Sequence, residues 1–214
     1  MLSLLLVLLP SPWALSRGDA SADAEMEQVA EGQAIDPARQ AEYYRLHDEC
    51  MKLAKRQLWD GVARLYLEME ATGAALRYDD YVAGAMAARH AGDVLLAYER
   101  LQAAAKLDGT REVIDWLWTI DTQFGRVELR TDPQAPASLE PARMPMLPDQ
   151  RAAVEHAQAQ LAQTGAFVGF LPAGDYSFAG QGFTVQAGPK EVLILVRTLD
   201  GELPEAEDAK RRRK

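Results

Sequence analysis

The side chains best suited to covalent chemistry are Cys50 and His47, which stand three residues apart. A reactive cysteine needs a nearby base, a stabilised thiolate and a third group that orients the base. Cys50 also belongs to an apolar stripe with helical spacing, where a thiol packs as a small hydrophobe. We therefore predict a buried structural cysteine. No serine stands in a Gly-x-Ser-x-Gly turn, and we predict no catalytic residue.

Metal binding would need several ligands at short spacing. His47 and Cys50 could supply one pair of ligands, but the sequence offers no second pair. The chain has three histidines, which are far apart in sequence: His47, His90 and His156. We therefore predict no metal site.

Phosphate-binding loops are glycine-rich and stand between a strand and a helix. Gly180 and Gly182 stand between two predicted strands instead, which is typical of a hairpin. The neighbouring carboxylates Asp79 and Asp80 come at a predicted helix start, where negative charge is favourable. The sequence therefore predicts no cofactor.

The composition is that of a folded protein, with 214 residues of which 48% are hydrophobic and 26% charged. The formal net charge of −9 disfavours nucleic-acid binding, because phosphate contacts need clustered Lys and Arg. A single cysteine excludes an intramolecular disulfide.

An apolar run from residue 2 to residue 9 opens the chain and ends at Pro10 and Pro12. It is shorter than the roughly 20 apolar residues that a membrane-spanning helix needs. We predict a signal peptide over 1–16, with a second candidate cleavage site as late as residue 22. The signal peptide implies export to the periplasm or cell envelope of a bacterium. The alternative is an uncleaved segment that anchors the chain to the membrane. The polar stretch 17–36 predicts a flexible linker.

Five apolar stripes with the 3.6-residue period predict five helices within 37–125. Pairs of similar residues recur thirty-four positions apart, as at Ala54 and Ala88, Ala63 and Ala97. The stretch 78–109 combines small residues, a Gly92-Asp93 turn and a closing leucine. On these residues the region 44–124 resembles the tetratricopeptide repeat, which implies stacked helical hairpins with a concave binding face.

The period changes to two after Gly125, which predicts a β-rich module over 126–200. We expect a strand at 126–130, a proline-rich loop, a helix at 149–164, and then strands joined by hairpins in one antiparallel sheet. Leu171-Pro172, Gly174 and the closing apolar strand resemble the small β-sandwich modules of the PEGA and carboxypeptidase-regulatory-like type. The fold class is thus α+β, a tetratricopeptide-like repeat followed by an antiparallel sandwich-like module. The charged tail 201–214 is predicted to be disordered.

The helical repeat, taken with the resemblance, implies a concave face that binds a partner. That face would carry six residues, mostly cationic: Lys52, Lys55, Arg56, Met86, Arg89 and His90. Positive charge on an acidic protein would attract an acidic, extended protein segment. We therefore expect an exported, non-enzymatic interaction or scaffold protein with no membrane span after signal cleavage. The alternatives are an exported enzyme with a site between the two domains, and a purely structural envelope module. The partner and the oligomeric state stay open.

Overall fold

The computed structural model describes residues 36–197, and these fold into an α+β arrangement, as predicted. The predicted signal peptide, the linker apart from Asp36, and the charged tail lie outside the described residues. The described residues form six helices: α1 (Pro37–Lys55), α2 (Trp59–Ala71), α3 (Tyr78–His90), α4 (Val94–Leu107), α5 (Arg111–Gln123) and α6 (Pro148–Thr164). They also form six strands: β1 (Phe124–Asp132), β2 (Leu139–Pro141), β3 (Ala166–Pro172), β4 (Gly174–Phe178), β5 (Gln181–Val185) and β6 (Gly188–Arg197).

Local chemistry explains where several helices begin and end. The side chain of Asp93 accepts a hydrogen bond from the Leu96 amide over 3.0 Å and caps the start of α4. Thr110 caps α5 in the same way through the Val113 amide. Gly165 ends α6 in the left-handed conformation with φ 68°. The predicted helix starts and stops therefore follow from the sequence at these positions.

The helices α1 to α5 pack in chain order, each against the next, and α1 also contacts α3. One core cluster joins α1, α2 and α3 around Tyr43, Tyr66 and Met69. A second cluster joins α3, α4 and α5 around Leu101 and Val113. Small side chains let the helices approach closely, as they do at Gly84, where an added Cβ would lie 2.4 Å from the Tyr66 ring. Four of the small residues in the stretch 78–109 are buried: Ala85, Ala88, Ala97 and Ala104.

The strands form two sheets of three strands within the described residues. In the first sheet, β1 lies between β3, to which it is antiparallel, and β6, to which it is parallel. In the second sheet, β4 lies between β2 and β5 and is antiparallel to both. A shared core cluster takes apolar side chains from both sheets and from α6, among them Leu129, Leu161 and Phe178.

The prediction of one antiparallel sheet with hairpin connections was therefore wrong in its pairing. Among the connections that the structure describes, only the turn at Ala179 and Gly180, with φ 47° and 82°, joins two consecutive strands that pair with each other. The turns before Gly174 and Gly188 lead the chain from one sheet to the other. A second correction concerns the proline-rich segment, which was predicted to be a loop but contains the short strand β2. Alternation along a strand determines which face is buried but leaves the partner strand undetermined.

Gly109 and Gly125 follow two of the predicted helices, but neither is a left-handed helix cap. Gly109 does not have the positive φ of a left-handed cap, whereas Gly92 does, with φ 81°. The fifth helix ends at Gln123, before Gly125, because the buried Phe124 already belongs to β1. An added Cβ at Gly125 would lie 2.2 Å from the carbonyl oxygen of Gln186, which lies between β5 and β6, so Gly125 allows the close approach of that segment instead.

The sequence predicts a boundary between two domains at residue 125. The helix α6 packs against elements from both sides of that boundary. Ala153 lies in the cluster of α3, α4 and α5, while Val154, Ala157 and Leu161 lie in the core of the sheets. The Tyr98 ring of α4 also lies 5.4 Å from the Phe170 ring of β3. The helical and strand-rich parts are thus packed directly on each other.

Over residues 36–197, every helix is too short or too polar to cross a membrane.

Candidate functional site

The six residues predicted to bind a partner fall into two sets in the structure. Lys52, Lys55 and Arg56 are exposed at the carboxyl end of α1. The other three, Met86, Arg89 and His90, line a groove of about 410 Å³ together with Trp59 of α2 and three residues of α6, which are Pro148, Asp149 and Ala152. The structure thus gathers the second set around one groove, and the groove lining as described contains none of the first set.

Arg89 occupies this groove but is already paired within the chain. Its Nη2 donates a hydrogen bond to Asp149 Oδ2 over 2.7 Å, and the two side chains are 42% and 25% exposed. Burial alone would raise the pKa of the Asp149 carboxyl. The hydrogen bond and charge of Arg89, together with the backbone amides of Asp149 and Gln150, outweigh burial and lower that pKa below its ordinary value. The sequence reading of a free cationic face at Arg89 missed this pairing.

The same groove has an aromatic wall. The rings of Trp59 and His90 lie 6.4 Å apart, and the half-buried Met86 completes the apolar surface beside them. Sequence reasoning missed Trp59 as a residue of this groove. The available signal was the side chain itself, because Trp is one of the residue types enriched at protein interfaces.

The groove exists because α6 lies against the carboxyl end of α3. Gly92 follows that end, and an added Cβ there would lie 2.2 Å from the carbonyl oxygen of Ala152. Ala152 and Asp149 are one turn apart on α6, so the same face of α6 reaches Gly92 and Arg89. The helix start at Pro148 places Asp149 in the first turn, where backbone amides stabilise its charge.

A second cluster of polar residues surrounds the fully buried Asp80. Tyr43 donates from its hydroxyl to Asp80 Oδ2 over 2.5 Å, and His47 Nδ1 lies 2.7 Å from Asp80 Oδ1. The backbone amide of Arg77 also donates to Asp80 Oδ2 over 2.8 Å, which caps the start of α3. Sequence reasoning missed this cluster, because it took Asp80 as an ordinary acid in a first turn. The signal was present in Tyr43 and His47, which stand four residues apart on one face of α1.

Cys50 adjoins this cluster on α1 and is completely buried. Burial, and after it the negative charge of Asp80, raises the pKa of the Cys50 thiol to about 11. A buried thiol with a raised pKa is neutral at physiological pH and unreactive. The arrangement of His47, Asp80 and Cys50 therefore has the components of a nucleophilic site without an accessible nucleophile, and it serves to join α1 to α3.

Two further features concern ligands and relatives. Across the part of the chain that the structure describes, His, Cys, Asp and Glu side chains do not gather in any group of three that could hold a metal ion. No family model matches the chain, and neither a curated protein nor a solved structure is significantly similar to it.

Proposed function

We propose that this chain is an exported, non-enzymatic interaction protein of the bacterial cell envelope, which binds a protein partner through its helical part. In this proposal the helices act as a tetratricopeptide-like scaffold, and the two sheets act as a sandwich-like module that supports it. The observation that carries the proposal is the groove lined by Trp59, Met86, Arg89 and His90. Aromatic, Met and Arg side chains are the residue types enriched at protein interfaces.

The chemistry of the groove favours an acidic partner segment. An incoming carboxylate can compete with Asp149 for Arg89, since the Arg89 side chain is 42% exposed. An apolar side chain beside that carboxylate would pack on Met86 and Trp59. The exposed cations of α1, which are Lys52, Lys55 and Arg56, would attract the rest of the segment.

Two sets of variants test this proposal, with a fluorescein-labelled peptide of alternating Glu and Leu as the probe. Replacing Lys52, Lys55 and Arg56 by Glu should weaken binding by about tenfold or more and reduce its salt dependence. The double variant Trp59→Ala, His90→Ala should weaken binding without changing the salt dependence. Fluorescence anisotropy over a range of salt concentrations measures both effects.

A charge-matched control separates the site from the total charge. Arg39, Arg64 and Lys106 are also exposed, and none of them lines the groove. Their replacement by Glu changes the net charge by the same amount and should leave affinity within about threefold. Equal loss in both triple variants, or no binding of the peptide to the wild type, would reject the acidic-partner site.

A further inference from the structure

A second cavity of about 230 Å³ lies among α3, α4, α5 and the start of β1. Its walls are mainly apolar, and three residues at its edge also line the groove described above: Met86, Arg89 and Asp149. The Arg89–Asp149 pair thus lines both the cavity and the groove. Apart from these two residues and Met86, the residues that line the cavity do not line the groove.

Small side chains account for the space. Ala85 of α3 and Ala97 of α4 line the cavity and are almost completely buried, at 1% exposure each. Larger apolar groups complete the wall at Leu101, Ile120 and Phe124.

The volume and lining indicate the size of a ligand. An apolar cavity of about 150 Å³ in another protein stays free of water and binds benzene. The cavity here, at about 230 Å³, therefore has room for one ring or a short branched chain and for a short polar arm.

The charge at the edge indicates the polar group. Arg89 uses Nη2 for Asp149, and a guanidinium can bind a second carboxylate through its other N–H groups or exchange one carboxylate for another. A ligand carboxylate at Arg89 would leave its apolar body directed among Ala97, Leu101 and Ile120. Asp149 already accepts hydrogen bonds from Arg89 and from backbone amides, whereas the guanidinium of Arg89 has N–H groups besides the one that it donates to Asp149, so the pair favours a carboxylate at Arg89 over a cation at Asp149.

We propose that this cavity is a binding site for a small monocarboxylate with a compact apolar body, of the size of phenylacetate. Arg89 holds the carboxylate, and the alanine-lined space between α3 and α4 holds the ring. This site does not depend on the proposed partner interaction, and a small-molecule titration without any peptide tests it.

The experiment uses the full chain with ¹³C-labelled methionine methyl groups and phenylacetate as the probe. Saturable binding should shift the methyl signal of Met86, which lines the cavity, and leave that of Met69 unchanged, since Met69 lies in the other helical core cluster. Phenylacetamide has the same shape without the charge and should bind about tenfold more weakly. A wild-type titration with no saturable shift at Met86 overturns the proposal.

Two variants assign the two parts of the site. Ala97→Leu places a larger side chain in the cavity and should abolish the Met86 shift while the circular dichroism spectrum stays that of the wild type. Arg89→Gln should remove the preference for phenylacetate over phenylacetamide and leave phenylacetamide affinity within about threefold. Undiminished binding in a folded Ala97→Leu protein, or an unchanged preference in Arg89→Gln, overturns the assignment. If Ala97→Leu does not fold, the wild-type Met86 shift and Arg89→Gln decide the matter.

Discussion

Arg89 and Asp149 are sixty positions apart in sequence, yet their side chains join α3 to α6 through a hydrogen bond of 2.7 Å. This pair lies where the helical part of the chain meets the helix inserted among the strands. It connects two elements that the sequence assigns to different domains. Both side chains also line the groove beside Trp59 and the alanine-lined cavity near that junction.

A double-mutant cycle measures what this pair contributes. The variants Arg89→Gln, Asp149→Asn and their combination should give a coupling free energy of about 0.5–1 kcal/mol in urea unfolding, because both groups are partly exposed. The matched control is the pair Arg111 and Asp115, whose atoms are 3.6 Å apart and whose side chains are 95% and 66% exposed. Coupling at least as large in the control pair would contradict a special role for Arg89 and Asp149.

The same pair predicts a pH dependence. The folded-state pKa of Asp149 is lowered, so its contribution to stability is present above the unfolded-state pKa and is lost as pH falls through the folded value. Between about pH 6 and about pH 3, the wild type should therefore lose more unfolding free energy than Asp149→Asn. Equal losses in the two proteins would show that the carboxyl is not stabilised by its surroundings.

A pair of glycine variants tests the contact between α6 and the end of α3. Gly73 and Gly92 have similar positive φ angles, 73° and 81°. An added Cβ meets nothing within 4 Å at Gly73 but would lie against the Ala152 carbonyl at Gly92. Gly73→Ala should cost about 1 kcal/mol of unfolding free energy from backbone strain alone. Gly92→Ala should cost at least about 1 kcal/mol more, because α6 must move. Equal costs in thermal or urea unfolding would mean that α6 does not press on this turn.

The buried carboxylate of Asp80 predicts a specific cost for removing one of its donors. Tyr43→Phe deletes a hydroxyl that donates to Asp80 and should destabilise the fold by about 1–3 kcal/mol. Tyr44→Phe makes the same chemical change at the next residue, which is 45% exposed, and should change stability by less than about 0.5 kcal/mol. Urea unfolding followed by circular dichroism compares the two, and a Tyr43 variant as stable as the Tyr44 variant would count against the network.

The burial of Cys50 predicts an unreactive thiol. Its raised pKa, about 11, leaves almost no thiolate at about pH 8, and the side chain is shielded from reagents. A disulfide reagent should therefore label the native chain only as fast as it unfolds, and should label it at once in urea. Because Cys50 is the only cysteine, the signal is unambiguous. Rapid labelling of the folded chain would contradict the burial of this thiol.

The sequence by itself determined the local features of this fold. Buried positions such as Tyr43, Leu46 and Cys50 follow from the spacing of apolar residues, because a helix places every third or fourth side chain on one face. Asp93 and Gly165 likewise fixed a helix start and a helix end through interactions within a few residues. Such patterns can be read directly, since the backbone geometry that produces them is the same in every protein.

Only the tertiary structure decided which faces meet. The apolar pattern of α6 is compatible with burial against the strands alone, yet Ala153 packs on the helices as well. Likewise, the continuous apolar run along β6 predicts a strand but not its parallel pairing with β1. The pairing of Arg89 with Asp149 and the burial of Asp80 also depend on contacts between distant segments. These outcomes depend on the free energy of burying whole surfaces together, which no spacing along the chain encodes.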